Sequence, residues 1–195
     1  MSSPTIAALR LASASPRRRE LLASIGLSVE VAPADIDESR LNDEPPAQFV
    51  SRLAREKAEA GHRDDGLVTL GADTLVVCDD QVFGKPIDAA DARRMLEALS
   101  GRAHRVLSAV AVVGPRGVTE CRVATTVHLR EIGESEIVAY WATGEPADKA
   151  AGYAIQGRAA IFVERLEGSY SAVVGLPLHE TAELLSAQGV SLWPR

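Results

Sequence analysis

The sequence predicts an α/β protein. Apolar runs of strand type, such as LVTLGADTLVVCDD at 67–80, recur along the chain, and helical stretches with an apolar stripe, such as AQFVSRLAREKAEAG at 47–61, stand between them. A long hairpin pattern at 104–132 adds antiparallel pairing. At 195 residues, 46% hydrophobic and 25% charged, the chain can bury a sizeable core, and with no linker in view it reads as one domain over residues 1–195.

A first strand is expected over 5–12. It feeds a helix over 15–25, with Ser15 as N-cap, Pro16 at the first helical position and Gly26 as the stop. A short strand at 28–32 precedes the acidic connection PADIDESRLNDEPP. In the next helix Phe49, Val50, Leu53 and Ala54 form the inward stripe, and Lys57, four residues past Leu53, continues it. That lysine either snorkels at the helix edge or aims a cation into a cleft. The run at 67–80 is expected to be interrupted at Gly71-Ala72-Asp73-Thr74, where Asp73 has apolar sequence on both sides. An unpaired carboxylate there would be costly, so Asp73 needs a partner.

Asp88 caps a helix over 89–99 that stops at Ser100-Gly101. Gly114-Pro115-Arg116-Gly117 turns the hairpin, and in its second run Cys121, Val123, Thr125, Val127 and Leu129 alternate with polar neighbours. Thr125 therefore faces inward and His128 the surface. A helix over 134–142, the loop GEPADKAAGYAIQG, a strand across AAIFVERLEG, a turn or strand in SYSAVVG and a closing helix in LPLHETAELLSAQG complete the order.

The net charge of −6 argues against nucleic acid or an anionic membrane as partner, since both demand a basic face. No apolar run approaches the ~20 residues of a transmembrane helix. The opening MSSPTIAALRLASASPRRR carries its positive charge after the apolar stretch, the reverse of a secretory signal. Cys78 and Cys121 have no paired spacing, which speaks against a disulfide framework or a zinc site and for a reducing cytoplasm. His62, His104, His128 and His179 are scattered, leaving oxygen ligands, hence Mg²⁺ or Mn²⁺, if a metal is used. There is no GxxxxGK[ST], no GxGxxG after a strand and no GxSxG. Metal-assisted attack of water on a phosphate remains supported.

Against this acidic background LASASPRRRELL stands out. Three arginines at a helix start oppose the macrodipole at roughly 0.3–1 kcal/mol each when exposed, which makes sense if they and the free backbone N–H groups hold a small anion. Of 21 basic residues only Lys57, Lys85 and Lys149 are lysines, candidates for compact charges on a phosphate.

LASASPRRRELL, LAREKA, GADTLVV, GKP, EPADKAAGYAIQG and GSYSAVVGLPLHET, in that order, resemble the Maf family of nucleoside triphosphate pyrophosphatases from about Leu11 to Leu185. The resemblance implies a twisted mixed sheet flanked by helices, two lobes with a central cleft, and kinship with inosine triphosphatases. It implies hydrolysis of a nucleoside triphosphate to monophosphate and pyrophosphate with a divalent cation, Mg²⁺ or Mn²⁺. GYAIQG, with Gln156, looks like the branch acting on dTTP and UTP; the alternatives are the 7-methyl-GTP branch, a broad pyrophosphatase of non-standard nucleotides, and a division regulator that senses a nucleotide without cleaving it.

By the same resemblance Ser13, Arg17, Arg18, Lys57 and Lys85 bind the triphosphate, while Arg19 is solvated. Asp73 is the proton acceptor or a metal ligand, Glu38 an acidic position near the metal, and Arg17, Thr74 and Gln156 set the choice of base. Lys149 approaches the phosphates or pairs with Asp148; Tyr153 and Phe162 belong to core or pocket wall. Ala14 and Ala154 stand where the family commonly has glycine, and homodimers are usual in it.

Overall fold

The computed structural model describes residues 8–193; the expected strand residues 5–7 and the start of the N-terminal pattern lie outside the described residues. The elements are β1 (Leu9–Leu11), α1 (Pro16–Ser24), β2 (Val29–Val31), α2 (Pro46–Gly61), β3 (Thr69–Cys78), β4 (Gln81–Phe83), α3 (Ala89–Leu99), β5 (Ala103–Gly114), β6 (Gly117–Leu129), α4 (Glu134–Trp141), β7 (Val163–Glu167), α5 (Tyr170–Val174) and α6 (Leu178–Ala187). The strands form one mixed sheet in the order β2-β1-β3-β5-β6-β7, with β4 paired to β3. β1 runs parallel to β2 and β3, while β3–β4 and β6–β7 are antiparallel.

The chain divides into two compact units, one drawn from 1–73, 108–123 and 175–195, the other from 74–107 and 124–174. Neither is a continuous stretch, which is why no linker is visible in the sequence. The first unit's core packs Leu9, Leu11, Leu22, Leu70, Val110, Val112, Leu176 and Leu185. Arg10 is fully buried there, its guanidinium donating to Glu30 and Asp65. Two glycines set how closely this unit packs. A Cβ at Gly71 would lie 2.3 Å from the Ala54 carbonyl oxygen and 2.4 Å from the Ala58 nitrogen, and one at Gly61 would lie 2.8 Å from Ala12 Cβ. Strand β3 and helix α2 thus meet backbone to backbone.

In the second unit α3 packs with α4 and with the 3₁₀ turn Ala150–Gly152. His104 is buried, with Nε2 2.7 Å from Tyr153 Oη and Nδ1 buried without a hydrogen-bond partner. Burial pushes its pKa down from 6.5 to about 4.

Four sequence expectations need correction. β3 is not interrupted at 71–74: Gly71 serves close packing on α2 and the ladder continues through it. Asp79 and Asp80, at φ 48° and 62°, form a tight turn that folds Gln81–Phe83 back as β4, a strand the sequence reading missed. The stretch AAIFVERLEG is a strand only from Val163, because Arg158–Phe162 winds into a 3₁₀ turn with Ala160 N donating to Gly157 O. SYSAVVG is neither turn nor strand but helix α5; Ser169 Oγ accepts from Ala172 N at 3.2 Å, and Thr125 Oγ1 accepts from Ser169 N at 3.0 Å. Thr125 is buried as expected, and His128 lies 3.1 Å from Glu167.

Candidate functional site

The N-terminus of α1 forms as its sequence requires, with Ser15 as N-cap accepting from Arg18 N and Pro16 opening the helix. The three arginines then take different paths. Arg19 is exposed, Arg17 half-buried, and Arg18 folds back: its Nη1 donates to the buried Ser13 Oγ at 3.0 Å and its Nε to the Gly175 carbonyl at 2.9 Å. Those acceptors offset the unfavourable end of the helix dipole. Desolvation lowers the Arg18 pKa, and the field of Asp73 works the other way.

Asp73 and Lys57 meet beside this turn. Lys57 Nζ lies 2.8 Å from Asp73 Oδ1 and 3.1 Å from Glu38 Oε1, with Lys57 and Asp73 each only 7% exposed. Lys57 therefore does not snorkel; it is the partner that a buried Asp73 demanded. The geometry follows from local rules. Gly71 and Asp73 share a face of β3 at i and i+2, and Lys57 neighbours Ala58, whose backbone Gly71 touches. Burial raises the Asp73 carboxyl pKa, opposed by Lys57 and Arg18. Asp37, next to Glu38, spends its carboxylate on Ser39: the Ser39 hydroxyl and then its N–H, at 2.8 Å, hold the Asp37 pKa down.

Among the described residues no group of three or more His, Cys, Asp and Glu is placed to hold a metal. Asp73 and Glu38, two carboxylates already sharing one cation, do fit an ion such as Mg²⁺, which takes one or two carboxylates and completes its shell with water and substrate phosphates.

The remaining expected residues fall in the second unit. Thr74 follows Asp73 on β3 and is half-buried; Lys85 and Gln156 are exposed. Ala151 N donates to Gly84 O at 2.8 Å, so the segment bearing Lys85 is tied to the loop bearing Gln156. Lys149 pairs with Asp148. Tyr153 and Phe162 are buried, each edge-on to another ring, and belong to the core. Ala14 is exposed and Ala154 buried, but the left-handed backbone falls on Ala151, at φ 57° and ψ 16°.

The sequence reading missed the Gly175 carbonyl and the packing role of Gly71. A lone glycine within an apolar strand is a signal of close backbone approach, and it could have exposed the second.

The family model described as Maf-like protein matches residues 8–188. The chain belongs to the Maf family. This Maf-family chain is 52% identical over 193 residues to the dTTP/UTP pyrophosphatase of Hahella chejuensis, with 95% of this chain and 94% of that protein covered. It is 55% identical over 192 residues to the dTTP/UTP pyrophosphatase of Anaeromyxobacter dehalogenans, covering 96% and 97% of the two chains. A HAM1 protein from Coxiella burnetii has a similar structure, with a TM-score of 0.51, 16% identity, and coverage of 92% of this chain and 98% of that one. The Maf sheet expected from the sequence motifs is thus the fold observed. Among the described residues no helix is long and apolar enough to cross a membrane.

Proposed function

We propose that this protein hydrolyses dTTP and UTP to the nucleoside monophosphate and pyrophosphate. The observation that carries the reading is the buried Asp73 carboxylate held at 2.8 Å by Lys57, in a chain 52–55% identical over nearly its whole length to relatives named dTTP/UTP pyrophosphatase.

Ser13, Arg17 and Arg18 grip the phosphate chain at the start of α1, and Lys57 and Lys85 add compact charges. Asp73 orients the attacking water and takes its proton. The water oxygen bonds to the α-phosphorus, the bond from that phosphorus to the α,β-bridging oxygen breaks, and pyrophosphate leaves with the electron pair. The cationic groups stabilise the charge that collects there. A divalent cation, Mg²⁺ or Mn²⁺, held by Asp73 and Glu38 with the phosphate oxygens, would supply further charge neutralisation when bound. Arg17, Thr74 and Gln156 set the choice of base; a glutamine amide offers both donor and acceptor to a pyrimidine edge. The same reading puts the enzyme in the cytoplasm and includes a homodimer, which sedimentation would test.

The decisive experiment measures pyrophosphate and monophosphate from dTTP, UTP, 7-methyl-GTP and ITP, with and without Mg²⁺ or Mn²⁺. Equal amounts of the two products, formed fastest from dTTP and UTP, support the proposal. Preference for 7-methyl-GTP or ITP, or no cleavage of any nucleotide, overturns it.

A further inference from the structure

Gln156 sits on a β-turn closed by Gly157 N donating to Ala154 O at 3.0 Å, with Ile155 buried and Gln156 exposed. Such a turn would leave an amide free to wander unless both of its ends were fixed. Both ends are fixed, by two side chains that lie outside the turn. On the entering side Ala154 N donates to Tyr140 Oη at 3.1 Å. On the leaving side Arg158 N donates to Glu145 Oε2 at 3.1 Å. The two anchors are joined, since Tyr140 Oη donates to Glu145 Oε1 at 2.7 Å.

The relay uses each group in the only sense open to it. The phenol accepts once and donates once, and the carboxylate accepts at both oxygens. Glu145 also packs across the turn: a Cβ at Gly157 would fall 2.3–2.4 Å from its carboxylate atoms, so any larger residue there would push the carboxylate out of place. Tyr140 is itself held, its ring edge-on to Phe162 at 5.5 Å between centroids. Burial pushes the Glu145 carboxyl up, and the hydrogen bonds from Arg158 N and Tyr140 outweigh it, leaving the group below the usual carboxylate range and ionised at neutral pH.

We propose that Glu145, acting with Tyr140, is a positioning residue for base selection, holding the 154–157 turn so that the Gln156 amide meets the nucleobase in one orientation. This rests on the reading of Gln156 as the base-contacting residue, and the test separates the two ideas. Glu145→Gln cannot satisfy the relay. With its oxygen toward Tyr140, its NH₂ faces the Arg158 N–H; flipped, its NH₂ meets the phenol oxygen and leaves the phenol proton without its acceptor. Tyr140→Phe removes the link while keeping the ring.

Steady-state kinetics on dTTP, UTP and ITP would be compared for the wild type, Gln156→Ala, Glu145→Gln, Tyr140→Phe and Glu145→Gln/Gln156→Ala, with melting temperatures alongside. Gln156→Ala is expected to raise KM for dTTP and UTP about tenfold, the loss of one specific hydrogen-bonded contact. Glu145→Gln and Tyr140→Phe are each expected to raise it about fivefold with kcat changed less than twofold, and to narrow the preference over ITP. The double variant should match Gln156→Ala alone.

If Gln156→Ala raises KM and neither clamp variant does, Glu145 has no positioning role. Nor has it one if the clamp variants only lower the melting temperature, or cut kcat equally for every nucleotide with KM unchanged. If Gln156→Ala itself leaves KM untouched, the base-contact reading falls and takes this inference with it.

Discussion

Gly71→Ala tests whether the site depends on the backbone contact between β3 and α2. The added Cβ would stand 2.3 Å from Ala54 O and 2.4 Å from Ala58 N, about 1 Å inside ordinary contact. Both atoms belong to helix backbone, so no side chain can swing away. Strand and helix must separate, and overpacking of this kind costs about 1–3 kcal/mol. At a urea m-value of about 1–3 kcal/mol/M, the midpoint should fall by about 1 M. The same separation acts on chemistry: Asp73 lies two residues along the same strand face and Lys57 beside Ala58, so their 2.8 Å contact would open past hydrogen-bond reach. A displacement near 1 Å costs about 10²-fold in rate. The assays are urea unfolding followed by circular dichroism and pyrophosphate release from dTTP. Gly133→Ala is the control, because a Cβ there meets only Glu136 Oε2, at 3.7 Å. A Gly71→Ala protein with wild-type midpoint and rate would refute the packing argument.

Asp73→Asn should cut pyrophosphate release about 10³-fold with the circular dichroism spectrum retained; an active variant would sink the base role. His104, depressed from 6.5 to about 4, refuses a proton that the unfolded chain accepts. Its contribution is therefore complete above about pH 6.5 and is lost as pH falls toward 4, a change of about 3 kcal/mol, which urea midpoints across that range would read and which His104→Gln should largely abolish. Ala151→Gly relieves a left-handed alanine at φ 57°, less the entropy glycine adds to the unfolded chain. A net gain of about 0.5 kcal/mol, or ~1–2 °C in Tm, is expected by calorimetry, and a lower Tm would show that the turn carries no strain.

Helices with a capping side chain and a stop residue were legible in the sequence almost to the residue. Ser15, Asp88, Gly26 and Gly101 set α1 and α3 through interactions within a few residues of themselves. Lys57 was legible as inward-facing from its spacing alone, and Asp73 as a group in need of a partner; that each is the other's partner required the fold. What stayed hidden depended on contacts distant in sequence. The start of α5 is supported by Thr125, and the 3₁₀ turn after Gly157 by Glu145, so local apolar patterning misread both. Gln156 could be picked out by its motif, whereas the side chains that hold its turn could not, because neither Tyr140 nor Glu145 departs from what a surface helix and loop normally contain.

The late arrival of Gly175 has a consequence for synthesis on the ribosome. Its carbonyl is an anchor for Arg18, and Leu176 and Leu185 fill the same core as Leu9 and Leu11. A nascent chain can wind α1 and α2 early, yet the arginine has no acceptor at that position, and the hydrophobic interior stays open, until translation has passed Leu185. Prematurely terminated polypeptides should consequently be inert and prone to degradation, so a cell would carry no half-built copy in which Lys57 and Asp73 stand near an open interior.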